Sequence, residues 1–253
     1  MLQIERRHLI MKYIEENKSA TVEELAKNFD VSTMTIRRDL QYLEDNNLIV
    51  RTHGGAILNT KLDIEIPLKE KRVRNKEEKK RIAQYAVSLV KDGQTILLDA
   101  GTTTMEIAKR LKDKKDLTIV TSDVFIAGYL ARNHKFRVFC TGGHVQNMVG
   151  ACIGPGTSEF LRNINVDISF IGTSSIDLEK GITTPTFEKA DVKKQMIKAA
   201  GKSVLVTDSS KFGITKFAKI CDLEDFDLII TDNKLPASIL KELEKLEINI
   251  KLV

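Results

Sequence analysis

The sequence predicts an α/β protein in two parts: a small N-terminal helical unit closed by a hairpin, then a mainly parallel-sheet α/β domain with helices on both faces. Three observations carry this reading. Helix-start signals and a Gly-Gly hairpin tip crowd into residues 1–58. From residue 74 onward short apolar runs alternate with helical patterns, as in a parallel sheet built from strand–helix repeats. Those runs end, one after another, in small, hydroxyl-bearing or acidic residues.

Residues 5–16 set Leu9, Ile10, Tyr13 and Ile14 at helical spacing, so a first helix is expected to bury that row. Thr21-Val22-Glu23-Glu24 is a capping-box pattern, in which the Thr21 hydroxyl and the Glu24 carboxylate satisfy free amides at a helix start. The second helix buries Leu25, Ala26 and Phe29 and breaks near Asp30. Val31 then packs inward, Ser32 is a good N-cap, and the third helix runs to about Asn46. At ~100° per residue, Leu40 and Leu43 fall within roughly 40° of Ile36 and define an inward edge. Met34, Arg38 and Gln41 point nearly opposite, with Thr35 and Arg37 on the flanks. Leu48-Ile49-Val50-Arg51 and Ala56-Ile57-Leu58 alternate around His53-Gly54-Gly55 as a short hairpin, whose glycines allow positive φ and a close approach to a sugar-phosphate backbone.

An Arg-Arg pair alone marks only a solvated face. The order helix, helix, Ser-capped basic helix, Gly-Gly hairpin is much narrower, and points to a helix laid in a DNA groove with a wing beside it. Arginines can reach guanine edges or phosphates, and short hydroxyls at the helix start can contact the backbone. The DNA-contacting set is Ser32, Thr33, Thr35, Arg37, Arg38, Gln41, Arg51, His53, Gly54 and Gly55, with Met34 on the same face. Residues 1–58 hold eight Lys/Arg against nine Asp/Glu, so grip must come from a few placed arginines rather than a basic surface. The most basic stretch, residues 69–81, is either a phosphate contact or a solvated linker and helix start.

Glu23-Glu24-Leu25-Ala26, Val31-Ser32, Thr35-Ile36-Arg37-Arg38-Asp39-Leu40, Leu43-Glu44 and Arg51-Thr52-His53-Gly54-Gly55-Ala56 together resemble the winged helix-turn-helix signature of DeoR-type bacterial transcriptional regulators. The resemblance implies that the third helix is the DNA reader and that Ser32 to Arg38 carry the contacts.

Residues 59–73 lose periodicity and include Pro67, which reads as a linker between a 1–58 domain and a 74–253 domain. Strands are expected over 95–99, 117–121, 137–141, 167–172, 203–208, 228–232 and 248–253, and helices over 76–91, 102–112, 123–132, 155–163, 187–200 and 236–246. In an open parallel sheet the ligand crevice lies beyond the carboxyl ends of the strands. The polar strand ends are Asp99 to Thr104, Thr121-Ser122-Asp123, Thr141-Gly142-Gly143, Gly172 to Ser175, Asp208 to Lys211 and Thr231-Asp232. Gly101-Thr102-Thr103-Thr104, between a strand and a helix, can hold a phosphate on amides and hydroxyls, its glycine freeing the backbone. Lys211 adds positive charge, and Asp99 and Asp123 accept sugar hydroxyls. The effector-binding set is Asp99, Gly101, Thr102, Thr103, Thr104, Thr121, Ser122, Asp123, Gly142, Gly143, Gly172, Thr173 and Lys211, with His144 a further candidate.

Leu98 to Thr104, Thr121-Ser122, Gly142-Gly143, Phe170-Ile171-Gly172, Gly181-Ile182-Thr183-Thr184 and Asp208 to Gly213 resemble the DeoR-type sensor domain. That resemblance implies a fold similar to ribose-5-phosphate isomerase and phosphorylated sugars as effectors. It places phosphate recognition at Gly101–Thr104 with help from Thr121, Ser122 and Lys211. Thr121-Ser122-Asp123 departs from the family's usual Thr-Asn pair.

The rival reading is a sugar-phosphate isomerase-like enzyme with an appended DNA-binding module. It needs a carboxylate base and an electrophile, for which Asp99, Asp177, Glu188 and Lys211 are candidates. The isomerase's Asp-Gly-Ala-Asp turn and Lys-Gly-x-Gly-Gly loop are both missing, and no catalytic residue is assigned. The Glu188-Lys189-Ala190-Asp191 helix start either lines the pocket or is a solvated turn. His8, His53, His134 and His144 lack metal-ligand spacing, so neither metal nor cofactor is expected. Cys140, Cys152 and Cys221 form no CxxC pair and are expected as reduced, partly buried thiols. With no signal-peptide pattern and no apolar run near ~20 residues, a cytoplasmic, membrane-free protein is expected. The expected partners are operator DNA, a phosphorylated sugar and a second copy of the chain, in a homodimer or homotetramer, because one short helix reads too few base pairs. The resulting expectation is a repressor of a carbohydrate operon.

Overall fold

The computed structural model describes residues 1–253 and divides into two units, Met1–Arg74 and Asn75–Val253. The first contains α1 (Gln3–Asn17), β1 (Ser19–Thr21), α2 (Val22–Phe29), α3 (Thr33–Asp45), β2 (Ile49–Thr52), β3 (Gly55–Leu58) and α4 (Leu68–Val73). α1 turns Ile10, Met11 and Ile14 inward. Leu9, expected in that row, is exposed, because the buried stripe runs one residue further along the helix. The capping box forms: Thr21 Oγ1 accepts from Glu24 N at 3.2 Å, and the Glu24 carboxylate accepts from Thr21 N at 2.8 Å. Ser32 Oγ caps α3 by accepting from Thr35 N at 3.2 Å. Ile36, Leu40 and Leu43 are fully buried, each stabilising the unit by about 2–3 kcal/mol. α3 has no acidic first turn and no basic last turn, so packing rather than end charge secures it.

The hairpin β2–β3 gains a third strand that the sequence did not predict. The sheet order is β1-β3-β2, with Thr21 opposite Gly55; three residues are too few to show alternation. The stretch 59–73, expected as a linker, instead belongs to this unit. α4 buries Leu68 and Glu70, and Ile64 and Ile66 pack on the core. These apolar residues sit two apart across a helix start, which conceals them from a search at helical period.

The second unit runs α5 (Lys76–Ser88), β4 (Thr95–Leu98), α6 (Thr102–Arg110), β5 (Thr118–Thr121), α7 (Val124–Asn133), β6 (Arg137–Cys140), β7 (His144–Val145), β8 (Cys152–Ile153), α8 (Pro155–Arg162), β9 (Ile168–Ile171), β10 (Ser175–Asp177), β11 (Gly181–Thr184), α9 (Phe187–Lys198), β12 (Ser203–Val206), β13 (Ala218–Cys221), β14 (Leu228–Thr231), α10 (Ala237–Lys245) and β15 (Ile250–Leu252). Seven strands make one parallel sheet of order β15-β14-β12-β9-β4-β5-β6. Side chains alternate across it, as the pleat requires. Ile96, Leu98, Phe170, Val204 and Val206 pack with α5, α6 and α7 on one face. Leu97, Ile171, Leu205 and Ile229 pack with α8, α9 and α10 on the other. A small antiparallel sheet, β10-β11-β13, was not foreseen. No helix is long and apolar enough to cross a membrane. Cys152 is buried and Cys221 half-buried, but Cys140 is exposed rather than partly buried, because β6 is the sheet's edge strand.

Candidate nucleic-acid interface and strand-end site

On α3 the outer residues stand as the helical wheel predicts: Ser32, Thr33, Met34, Arg37, Arg38 and Gln41 are exposed and Thr35 is half-buried. Two are engaged locally, since Thr35 Oγ1 lies 3.0 Å from Ser32 Oγ and Gln41 Nε2 donates to Asp45 at 2.9 Å. The hairpin tip is His53 and Gly54, both exposed, with Gly54 at φ +83°. Gly55 is buried in β3 instead, where an added Cβ would collide with Ala20 O. Its lack of a side chain therefore serves the approach of β1. Arg51 is half-buried and its Nε has no hydrogen-bond partner.

Asp39 was missed, although it falls about 60° from Ile36 on the same wheel. It is fully buried and accepts from Arg6 Nε at 2.6 Å and Arg7 Nε at 2.9 Å, tying α3 to α1. The Arg7 guanidinium also lies 3.6 Å from the Tyr42 ring centroid. Burial raises the Glu70 carboxyl above its ordinary pKa, opposed by the charges of Arg74 and Arg7 and a hydrogen bond from Tyr42.

In the second unit the strand ends of β4, β5 and β9 bring together part of the expected set. Asp99 is buried, pairs with Lys193 of α9, and accepts from Gly172 N at 3.0 Å. Lys193 Nζ also donates to Gly172 O at 2.7 Å. Lys193 was not anticipated; its signal was a pair of lysines, Lys189 and Lys193, on the helix face that also carries Ala190 and Met196. Asp123 caps α7, accepting from Phe125 N at 2.7 Å and Ile126 N at 3.1 Å. Burial pushes its pKa up to about 6, the charge of Asp99 adds to the rise, and bonds from the Ile126, Phe125 and Gly101 amides oppose it.

No side chain caps the start of α6. Thr102 is half-buried, Thr103 is buried, and Thr104 Oγ1 donates back to Gly101 O at 3.0 Å. Gly101 has φ 168°, extended backbone open to any residue, so the expected conformational role for this glycine is absent. Thr121 Oγ1 accepts from Asp123 N at 3.1 Å, and Ser122 O accepts from Cys152 N at 2.6 Å.

The outer loops are occupied with their own structure. Gly142 and Gly143 have positive φ, and a Cβ on Gly143 would press on Thr157 and on Ile153 O. Thr173 Oγ1 donates to carbonyls of Ser175 and Thr183. Lys211 faces Asp208, whose pKa lies below the ordinary carboxylate value: burial alone would raise it, but Lys211, Ser210, Lys79 and Asn75 outweigh that. His144 is exposed. Of the candidate bases, Asp177 is bound by Lys180 N, Glu179 N and Thr215, and Glu188 is exposed; Asp191, near it, accepts from Ser158. A separate cleft of about 560 Å³, lined by Lys109, Arg110, Lys112 and Lys114 among others, lies by the opposite end of α6.

The strand ends thus offer two buried carboxylates, one buried ammonium and a helix start whose cap residue supplies no side chain, with the Gly101 amide bound by Asp123, a set suited to a hydroxyl-bearing molecule with an anionic group at that helix start. A helix-turn-helix with a wing, in one chain with such an α/β unit, is the composition of a DNA-binding transcriptional regulator. Residues 6–62 match the DeoR-like helix-turn-helix domain and residues 74–233 the DeoR C terminal sensor domain, and the chain belongs to the DeoR family. It is 38% identical over 250 residues to the HTH-type transcriptional regulator GlpR of Haloferax volcanii, covering 99% of this chain and 98% of that one. It is 31% identical over 252 residues to the glycerol-3-phosphate regulon repressor of Escherichia coli strain K12, covering 100% of each. Among solved structures, ribose 5-phosphate isomerase from Methanocaldococcus jannaschii is similar over 55% of each chain, with a TM-score of 0.40 and 20% identity.

Proposed function

We propose that this regulator represses a carbohydrate-use operon and leaves its operator when a phosphorylated sugar binds the sensor unit. The observation that carries the reading is the start of α6, whose cap residue Gly101 has no side chain, beside Asp99 and Asp123. A phosphate would take the amides of Thr102, Thr103 and Thr104 and the hydroxyls of Thr102 and Thr103, while Asp99 and Asp123 accept sugar hydroxyls. The Lys193 ammonium offsets the Asp99 charge, which lets an anion come near. Thr121, Ser122, Gly142, Gly143, Gly172, Thr173 and Lys211 would border the same ligand. The name of the Escherichia coli relative, a glycerol-3-phosphate regulon repressor, supports a phosphorylated effector.

On the DNA side, Arg37 and Arg38 would read bases or phosphates, with Ser32, Thr33, Thr35, Gln41, Arg51, His53 and Gly54 around them. Two or four copies of this cytoplasmic protein would bind repeated half-sites. The test has two arms. The full chain is used to select fragments from genomic DNA, and its melting temperature is followed against a panel of phosphorylated three- to six-carbon sugars. A binder present at 100 times its Kd adds about 2.7 kcal/mol of stability. We expect one sugar phosphate to raise the melting temperature and release the selected fragment. Failure to select DNA, or release by none of the panel, overturns the reading. For coupling, the effector must bind the DNA-free form more tightly.

A further inference from the structure

Cys140 closes the edge strand β6, opposite Thr121 of β5, and is exposed. Thr141 N donates to Thr121 O at 3.0 Å, and the chain then turns at Gly142 and Gly143 into β7. β7 pairs with β8 so that Val145 stands opposite the buried Cys152. A Cβ on Gly143 would press on Ile153 O, so this turn folds the end of β6 closely onto β8. Cys152 N donates to Ser122 O at 2.6 Å, and Ala151 bridges Asp123. The two cysteines therefore hold consecutive residues, Thr121 and Ser122, of the turn already placed in the strand-end site. Their thiols are hydrogen-bond partners; burial, then the charge of Cys140, pushes the Cys152 thiol up to about 11. Cys221 lies on β13, in a different sheet.

We propose that Cys140 and Cys152 are a modification site, oxidised by a peroxide to an intramolecular disulfide that fixes the Thr121–Asp123 turn and weakens effector binding. The effector half of the inference rests on the proposed function. The exposed Cys140 sulfur attacks hydrogen peroxide: an S–O bond forms, the O–O bond breaks, and the leaving hydroxide takes the Cys140 proton as water. The Cys152 sulfur then attacks the sulfenic acid on Cys140. An S–S bond forms, the S–O bond breaks, and the second hydroxide leaves as water with the Cys152 proton. Two thiols lose two electrons and one peroxide gains them. The bond closes the gap that one hydrogen now spans between the sulfurs. Formed without ligand, it holds the turn in its ligand-free arrangement, so a ligand that needs another arrangement binds less well.

The experiment treats the full chain with hydrogen peroxide. Both cysteines fall in one tryptic peptide, residues 138–162, which should lose about 2 Da and regain it with dithiothreitol. Cys140→Ser, an exposed change, should abolish the loss; Cys152→Ser should stop at a sulfenic acid that dimedone traps on Cys140. The crosslink should lower the unfolding constant roughly 10- to 100-fold, read as a higher urea midpoint of the oxidised wild type alone. The sugar phosphate picked out by the melting panel should bind the oxidised wild type about 5-fold or more weakly, and peroxide-treated Cys140→Ser as before. An unchanged peptide mass, or a disulfide joining two chains instead, overturns the inference and leaves the regulator function standing. So does a crosslink that leaves effector affinity unaltered. Should no sugar phosphate bind, the proposed function and the effector half fall together, while the peptide mass still decides the crosslink.

Discussion

Arg6 Nε lies 2.6 Å from a carboxylate oxygen of Asp39, a residue of α3 that solvent does not reach. Arg7 binds the other oxygen, and both arginines are nearly buried. Removing one member of such a set strands the rest in a poorly solvated place. Asp39→Ala is expected to destabilise the N-terminal unit by about 3 kcal/mol, read as a lower urea midpoint for the full chain. An unchanged midpoint would show that the arginines find water or other partners.

Gly54 and Gly55 separate two reasons for having no side chain. Gly54→Ala meets no atom within 4 Å and suffers only its positive φ, a cost of about 1–2 kcal/mol. Gly55→Ala drives a methyl into Ala20 O and should part β1 from β3. Thermal melts of the two variants should show the second as the more damaged; the reverse order would place Gly55 at the tip.

Arg38→Ala tests the face of α3. It is expected to weaken binding to the selected fragment by about 1–3 kcal/mol if it contacts a base, and to lower the salt slope by ~0.9 if it contacts a phosphate. The sugar-phosphate melting shift should stay as in the wild type. Operator affinity and salt slope both unchanged would move the DNA contact to another face.

The Asp123 carboxyl sits at about 6, raised mainly by burial, against an unfolded value of ~3.9. The native state therefore holds this proton more tightly than the unfolded chain. The associated stability is fully present below ~3.9 and is lost as pH rises through about 6. Asp123→Asn keeps an acceptor for the Phe125 and Ile126 amides and removes the titration. Relative to wild type, its stability should climb by up to about 3 kcal/mol between pH 4 and pH 7. Parallel urea midpoints across that range would refute the burial argument.

The seven sheet strands were legible because each is a short apolar run with polar ends, and the faces of α3 because Ile36, Leu40 and Leu43 fall on one edge. Asp39 was legible in principle but overlooked: a charged residue on an apolar edge requires partners, and Arg6 and Arg7 lie 33 and 32 residues away. Lys193 was harder, since its partner Asp99 is 94 residues distant and only the folded sheet brings them together. β1, β10, β11 and β13 are as short as the sheet strands but carry no continuous apolar run: Ser19-Ala20-Thr21, Ser175-Ile176-Asp177, Gly181-Ile182-Thr183-Thr184 and Ala218-Lys219-Ile220-Cys221 mix polar and apolar residues. Gly55 serves a close neighbour rather than the hairpin tip, and Gly101 serves neither a turn nor a close neighbour. A glycine's spelling is the same whether it serves a turn, a close neighbour or neither.

Thr21 closes β1 opposite Gly55, and in the same place its hydroxyl caps α2. Val22 N donates to Gly54 O at 2.8 Å one residue later. The hairpin and the helix pair are thus soldered at two adjacent residues, Thr21 and Val22. A chimera that grafts a foreign reader helix into 33–45 must carry over Ile36, Asp39, Leu40 and Leu43, whose burial and ion pairs hold the helix in place. One that exchanges the hairpin alone must rebuild the pairing of β1 with β3 and the Val22–Gly54 bond, so recognition specificity should be transplanted with residues 19–58 as one indivisible cassette.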